Sequence, residues 1–219
     1  MSPSVTPSPR EVRPRAREAG KAKNRLQIIE ATIDSIALYG YARTTVSTII
    51  ARAGVSRGMV NLHFESMGAL FPEVLRHLAA RYRESWEGAL AAAGPDPAAG
   101  LTAMIENDLG PAVLSHRAMA VWFAFRAEAK AHPEYLELYE TRDQDYSRVM
   151  RRLCRELAGG SRRGADPELV ADGLYAMIEG LWIDFLLHPG DFDRSRSIQI
   201  CLSYLAAQFP ESFNQAAGR

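Results

Sequence analysis

The chain has 219 residues, 47% hydrophobic and 24% charged, globular values that exclude disorder over most of its length and suit one large domain or a small one joined to a larger. No stretch approaches the roughly 20 uncharged apolar residues of a membrane-spanning helix, and two distant cysteines, Cys154 and Cys201, give neither a disulfide framework nor a zinc site, so a reducing cytoplasm is the expected location. The formal charge is zero, yet residues 1–66 hold ten Lys and Arg against five acids and residues 67–219 hold 16 against 21, which makes only the first part a partner for a polyanion.

Residues 1–20 are rich in Pro and Arg, a composition that predicts a disordered, solvated extension, with a DNA-contacting arm as its alternative use. Apolar residues then recur at Leu26, Ile29, Ile33, Ile36 and Ala37, a helical stripe that Gly40 closes. Thr44 and Thr45 precede Val46, Ile49 and Ile50, and either hydroxyl can N-cap a short helix that stops at Gly54. Ser56 caps a third helix, from Arg57 to about Phe64. A longer helix is expected from near Ser66 to about Ala93, with Pro72 either in its first turn or kinking it. Breaks at Gly94-Pro95-Asp96-Pro97, Gly110-Pro111, His132-Pro133 and Gly159 to Gly164 delimit helical segments near 97–109, 115–131, 133–158, 166–188 and 193–208. No window alternates at strand spacing, so the expected fold is all-α with about nine helices. The expected division is a tail over 1–20, a three-helix domain over 21–66 and a larger helical domain over 67–219.

Thr44 to Phe64 is the most informative run. A short helix, a turn at Ala53-Gly54-Val55-Ser56 and a second short helix form a helix-turn-helix, with Ile49, Val55 and Val60 locking the pair. Such a unit lays the start of its second helix in the major groove, about 12 Å wide. The Thr44 and Thr45 hydroxyls and the free N–H groups at the helix starts suit phosphates, while Arg57 suits guanine and Asn61 an adenine edge. Met59 is a further candidate on the same helix.

Arg25 to Leu70 resembles the DNA-binding domain of the tetracycline-repressor (TetR) family through Gly40, Thr44-Thr45-Val46, Ala53-Gly54-Val55-Ser56, Gly58, His63-Phe64 and Ser66. The remainder more loosely resembles the BetI-like, choline-responsive subgroup, in Ala118 to Phe125, Arg151 to Leu157 and Ile178 to Trp182. The resemblance implies a DNA-binding surface that includes Ser56, Gly58 and a His63 that donates a hydrogen bond to phosphate, for which packing beside Phe64 is the other reading. Three positions depart from the pattern. Ile50 replaces a small Ala and either pushes the motif helices apart or is absorbed by Gly58. Asn61 stands for a Tyr and Met67 for a Lys, two side chains that touch phosphate in the family, so two contacts are lost and affinity and salt slope are expected to fall.

An acidic helical domain joined to a DNA reader is expected to be a two-state element biased by a ligand. The resemblance implies a homodimer built on 166–188 and 193–208, with Leu169, Leu174, Ile178, Leu181, Ile198, Cys201, Leu202 and Leu205 as interface or core. Two recognition helices would then sit about one DNA turn apart, ~34–36 Å, on a pseudo-palindromic operator. Trp122, Phe125, Glu128, Tyr139, Tyr175 and Trp182 are candidates to line a small-molecule pocket. Aromatic faces with a carboxylate suit a quaternary ammonium such as choline, although aromatics at helical spacing also serve as plain core. His188, Asp191 and Asp193 flank Pro189-Gly190, which reads as a turn rather than a metal site. No cofactor is indicated. Two other function classes remain: a hydrolase using Ser56, since Gly54-Val55-Ser56-Arg57-Gly58 fits G-x-S-x-G, and an architectural DNA-binding protein without a ligand. The first needs a strand before the serine, where a helix is expected.

Overall fold

A computed structural model of the protein describes residues 9–159 and 166–213, with side chains from Glu18 onward. Among these residues there are ten helices and no strand: α1 (Pro9–Tyr39), α2 (Val46–Ala53), α3 (Arg57–His63), α4 (Met67–Ala93), α5 (Pro97–Leu109), α6 (His116–Glu128), α7 (Pro133–Gly159), α8 (Pro167–Leu187), α9 (Arg194–Gln208) and a single turn, α10 (Pro210–Phe213). Two compact units result, Met1–Val74 and Leu75–Arg219. The division falls inside α4 rather than at residue 66. The first turns of α4 are tied to what precedes them by an ion pair between Arg25 and Glu73 and by the Tyr41 and Phe71 rings, 4.7 Å apart.

Within the first unit, α1 is longer than the apolar stripe predicts. Residues 9–20, expected as a disordered extension, continue the helix, whereas residues 1–8 lie outside the described residues. The Arg and Glu that make this segment polar, and its two Ala, are good helix formers. Ile28, Ile29, Ile33 and Ile36 are buried; Leu26, part of the predicted stripe, is 46% exposed. Gly40 takes a left-handed φ of 81° and ends the helix. Thr45 then N-caps α2 in a full capping box: its Oγ1 accepts from the Thr48 N–H (3.3 Å) and the Thr48 Oγ1 accepts from the Thr45 N–H (3.0 Å). Gly54 closes α2 at φ 64°, a backbone that only glycine adopts cheaply. Ser56 caps α3 through the Met59 N–H (3.2 Å). The pair is locked by Ile49, Ala53 and Val60, all buried.

Ser66 caps α4 through the Ala69 N–H (3.1 Å), so the helix starts at Met67 and Pro72 lies inside it, where it deletes one backbone donor. In the second unit, Asp96, Ser115, Asp166 and Asp193 cap α5, α6, α8 and α9, each within one residue of the start expected from the sequence. Arg151 and Arg155 on α7 reach Asp172 (2.7 Å) and Glu168 (3.2 Å) on α8. Gly173 lets α9 approach: a Cβ there would lie 2.5 Å from the Tyr204 hydroxyl. Arg194 donates to the carbonyls of Leu109 (2.6 Å) and Leu114 (2.7 Å), fixing the loop after α5. Burial divides the proposed interface residues: Leu174, Ile178, Cys201 and Leu205 are core, whereas Leu169 is 68% exposed.

Candidate DNA interface and effector site

On α3 the exposed residues are Arg57, Gly58, Asn61 and Leu62, positions i, i+1, i+4 and i+5, which form one outward face. Leu62, not among the sequence candidates, is 67% exposed. A Cβ on Gly58 would meet nothing closer than Ser56 Oγ at 3.8 Å, and its φ is not left-handed. Neither the backbone nor internal packing needs glycine there. It also follows that Gly58 does not absorb Ile50, which is itself half-buried on α2. Arg57 Nη2 donates to Ser47 Oγ at 3.4 Å, joining the starts of both motif helices.

Other sequence candidates face elsewhere. Thr44 is buried and its hydroxyl donates to the Gly40 carbonyl (2.9 Å), which leaves Thr45 as the surface threonine. Met59 is half-buried, its sulfur 3.6 Å from Asn24 Nδ2 on α1. His63 lies beside Phe64, ring centroids 6.4 Å apart, with both ring nitrogens shielded and without a hydrogen-bond partner. The imidazole thus presents no N–H to a phosphate in this state. Burial, then the charges of Lys21 and Arg25, lower its pKa. Lys21 and Lys23 are exposed along α1, while Arg25 stacks over the Phe64 ring at 5.0 Å. Ser56 is no nucleophile elbow: a helix precedes it, and its oxygen is engaged as the α3 cap.

The second unit gathers aromatic rings around a cation of its own. The Arg142 guanidinium carbon lies 4.7 Å from the Trp122 centroid, 5.3 Å from Tyr82, 5.5 Å from Tyr139 and 5.9 Å from Trp182. Its Nε donates to Asp143 Oδ1 (2.6 Å), and Glu179 Oε1 is 3.6 Å away. Burial opposes its charge, but Asp143, the Tyr82 and Tyr175 oxygens and Glu179 outweigh that and raise its pKa. Next to this cluster Asp108 is wholly buried, its Oδ2 accepting from the Tyr82 (3.2 Å) and Tyr146 hydroxyls and its Oδ1 from Asn107 Nδ2 (3.2 Å). Burial pushes its carboxyl up to about 7, against the pull of those donors and of Arg142. Trp182 Nε1 donates to the Asp108 carbonyl (3.0 Å), and the Tyr139 hydroxyl donates to the Trp122 carbonyl.

Of the six proposed pocket residues, Trp122, Tyr139 and Trp182 meet at Arg142 through their rings, and Tyr175 through its hydroxyl, which accepts from Arg142 Nη2 (3.5 Å). Phe125 does not: its ring packs edge-on against Tyr135, centroids 5.1 Å apart. Glu128 ends α6, and its carbonyl accepts from the Ala131 (2.9 Å) and His132 (3.1 Å) N–H groups. Residues 188–191 form a turn in which the Asp191 N–H donates to the His188 carbonyl (3.1 Å), while His188 Nδ1 pairs with Asp184 (2.9 Å) and Asp193 caps α9.

Residues 28–74 match the family described as bacterial regulatory proteins, tetR family, and residues 97–210 match the BetI-type transcriptional repressor, C-terminal family. The HTH-type transcriptional regulator BetI of Stenotrophomonas maltophilia (strain R551-3) is 33% identical over 186 residues, covering 84% of this chain and 92% of its own. The chain belongs to the TetR family, with a BetI-type C-terminal domain. It is a transcriptional regulator, not an enzyme. A structure described as a transcriptional regulator from Pseudomonas aeruginosa PAO1 aligns with TM-score 0.75 at 26% identity, covering 87% of this chain and 92% of that one. Another regulator structure, from Saccharomonospora viridis and in complex with choline, aligns with TM-score 0.76 at 22% identity, covering 84% and 96%.

For a TetR-family chain the departures at Asn61 and Met67 now have places: Asn61 is exposed on α3, and Met67 is half-exposed at the start of α4. Sequence reasoning missed Leu62, Tyr82, Asp108 and Arg142 as candidate site residues. Leu62 was detectable as an apolar residue on the polar side of a short helix. Arg142 gave no signal, because α7 is rich in charge and a solvated arginine is the ordinary expectation there. Among the described residues no helix is long and apolar enough to cross a membrane.

Proposed function

We propose that this regulator acts in the cytoplasm as a homodimeric repressor, holding a pseudo-palindromic operator until a small-molecule effector releases it. The observation that carries the DNA reading is the outward face of α3. Arg57 suits guanine N7 and O6, Asn61 suits adenine N6 and N7, and the Leu62 methyls suit the thymine C5 methyl. Thr45 and Ser47, exposed at the start of α2, suit phosphate. The exposed apolar residues Leu169, Ile183 and Leu187 on α8 and Ile200 on α9 support a dimer face on these two helices.

The rings around Arg142 support a cationic effector, and the choline held by the Saccharomonospora viridis protein makes a quaternary amine the leading candidate. Tyr82, one of these rings, is carried by α4, the helix that also supplies Leu70 and Val74 to the first unit. An effector that binds one state better shifts the population toward it. The test is fluorescence anisotropy on the DNA upstream of the chain's own gene. Tight, salt-sensitive binding that choline reverses supports the reading. Equal affinity for random DNA would overturn the operator, and operator binding untouched by a panel of quaternary amines would overturn this effector class.

A further inference from the structure

The space enclosed by Tyr82, Trp122, Tyr139 and Trp182 already has an occupant. The Arg142 side chain is only 5% exposed, and its guanidinium carbon lies within 5.9 Å of all four ring centroids. Two cations cannot share such a volume, because in a water-poor interior their repulsion exceeds what the ring faces return. We propose that Arg142 is a built-in competitor for the effector: it fills the aromatic cage of the effector-free regulator, and a quaternary ammonium enters only by displacing it. This rests on the cationic-effector reading above.

Three features make Arg142 displaceable. Its shortest carboxylate partner is Asp143, the next residue on α7, so the pair can move together without breaking. Its link to Glu179 is long, at 3.6 Å, and Glu179 keeps Arg126 as a partner after Arg142 leaves. Space lies on both sides of the exchange. Arg142 itself lines an open cleft of about 240 Å³ with Ala79, Trp86, Leu138 and Thr141; Arg83, also on that cleft, is paired with Asp145. Tyr82 and Trp122 line a second cleft of about 190 Å³, with Ser85, Val113 and Ser115.

When the binding-competent state is a minor one, the apparent dissociation constant is the intrinsic one divided by its population. Removing the competitor therefore tightens binding. Full-length wild type, Arg142→Ala and Arg142→Gln are titrated calorimetrically with choline, with tetramethylammonium, and with 3,3-dimethyl-1-butanol, a neutral analogue of choline. Both variants are expected to bind the two cations at least about tenfold tighter than wild type, with no gain for the neutral alcohol. Arg142→Gln keeps most of the side-chain volume should the alanine variant fold poorly. Methylguanidinium, which refills the cage, should raise the melting temperature of Arg142→Ala and leave wild type unchanged. Equal or weaker cation binding by a folded variant overturns the competitor while leaving the effector reading intact. A gain shared by the neutral alcohol shows a filled void and overturns it too. Failure of wild type and both folded variants to bind either cation overturns the cationic-effector reading together with the competitor, and operator binding by wild type is unaffected by that outcome.

Discussion

The outward face of α3 and the cluster around Arg142 put similar chemistry to opposite use. On α3, Arg57 and Asn61 are exposed and the fold asks little of them. In the second unit Asp108 and Arg142 are buried and each is held by several partners. A surface that reads a large polyanion must leave its donors free for it. A site for a small cation must instead exclude water and keep its polar groups satisfied until the ligand arrives. Substitutions in the first region should therefore change binding without stability, and substitutions in the second should change stability first.

The largest expected effect is at Asp108. Asp108→Ala strands the Tyr82 and Tyr146 hydroxyls without their shared acceptor, and urea unfolding should show a loss of roughly 3 kcal/mol or more. A smaller loss would mean that the network tolerates an empty centre and would erase the contrast. Arg57→Ala should leave the melting temperature unchanged while weakening operator affinity by about 1–3 kcal/mol, with little change on random DNA. Equal losses on both DNAs, read by anisotropy, would make Arg57 a phosphate contact instead.

The two units should also answer pH with opposite signs. The Asp108 pKa is raised by burial to about 7, so the native state binds more protons than the unfolded chain. Its contribution is complete below the unfolded carboxylate pKa of about 4 and falls by up to about 1.4 kcal/mol per pH unit toward 7. Asp108→Asn should remove that fall. His63 is lowered by burial and by Lys21 and Arg25, so its neutral form is favoured. That contribution is present above about 6.5 and is lost as acid protonates the ring. Unfolding curves of wild type, Asp108→Asn and His63→Leu across pH 4.5 to 7.5 separate the two slopes. Last, Thr45→Ala removes half of the capping box and should cost about 1 kcal/mol in the first unit. No measurable loss would show that Thr48 alone holds the start of α2.

The motif helices were legible because their signals are local. Thr45, Gly54 and Ser56 act on backbone groups within four residues of themselves, so spacing along the chain is already geometry. The same holds for the caps at Asp96, Ser115, Asp166 and Asp193, which explains why the helix boundaries of the second unit agree closely with the sequence breaks. Side chains pointing away from a short helix were only partly legible. Met59 turned toward Asn24, Thr44 toward Gly40 and His63 into shelter, because each answers to neighbours that spacing does not specify.

By itself, then, the sequence determined an all-helical chain with a helix-turn-helix near its start, since periodicity, caps and glycines are short-range physics. Only the tertiary structure decided what fills the aromatic cluster. Trp122, Arg142 and Trp182 are 20 or more residues apart in sequence, and which of four helices supplies the cation at their centre depends on how α4, α6, α7 and α8 pack. Burial then turned Arg142 from an ordinary solvated charge into the occupant of a cage.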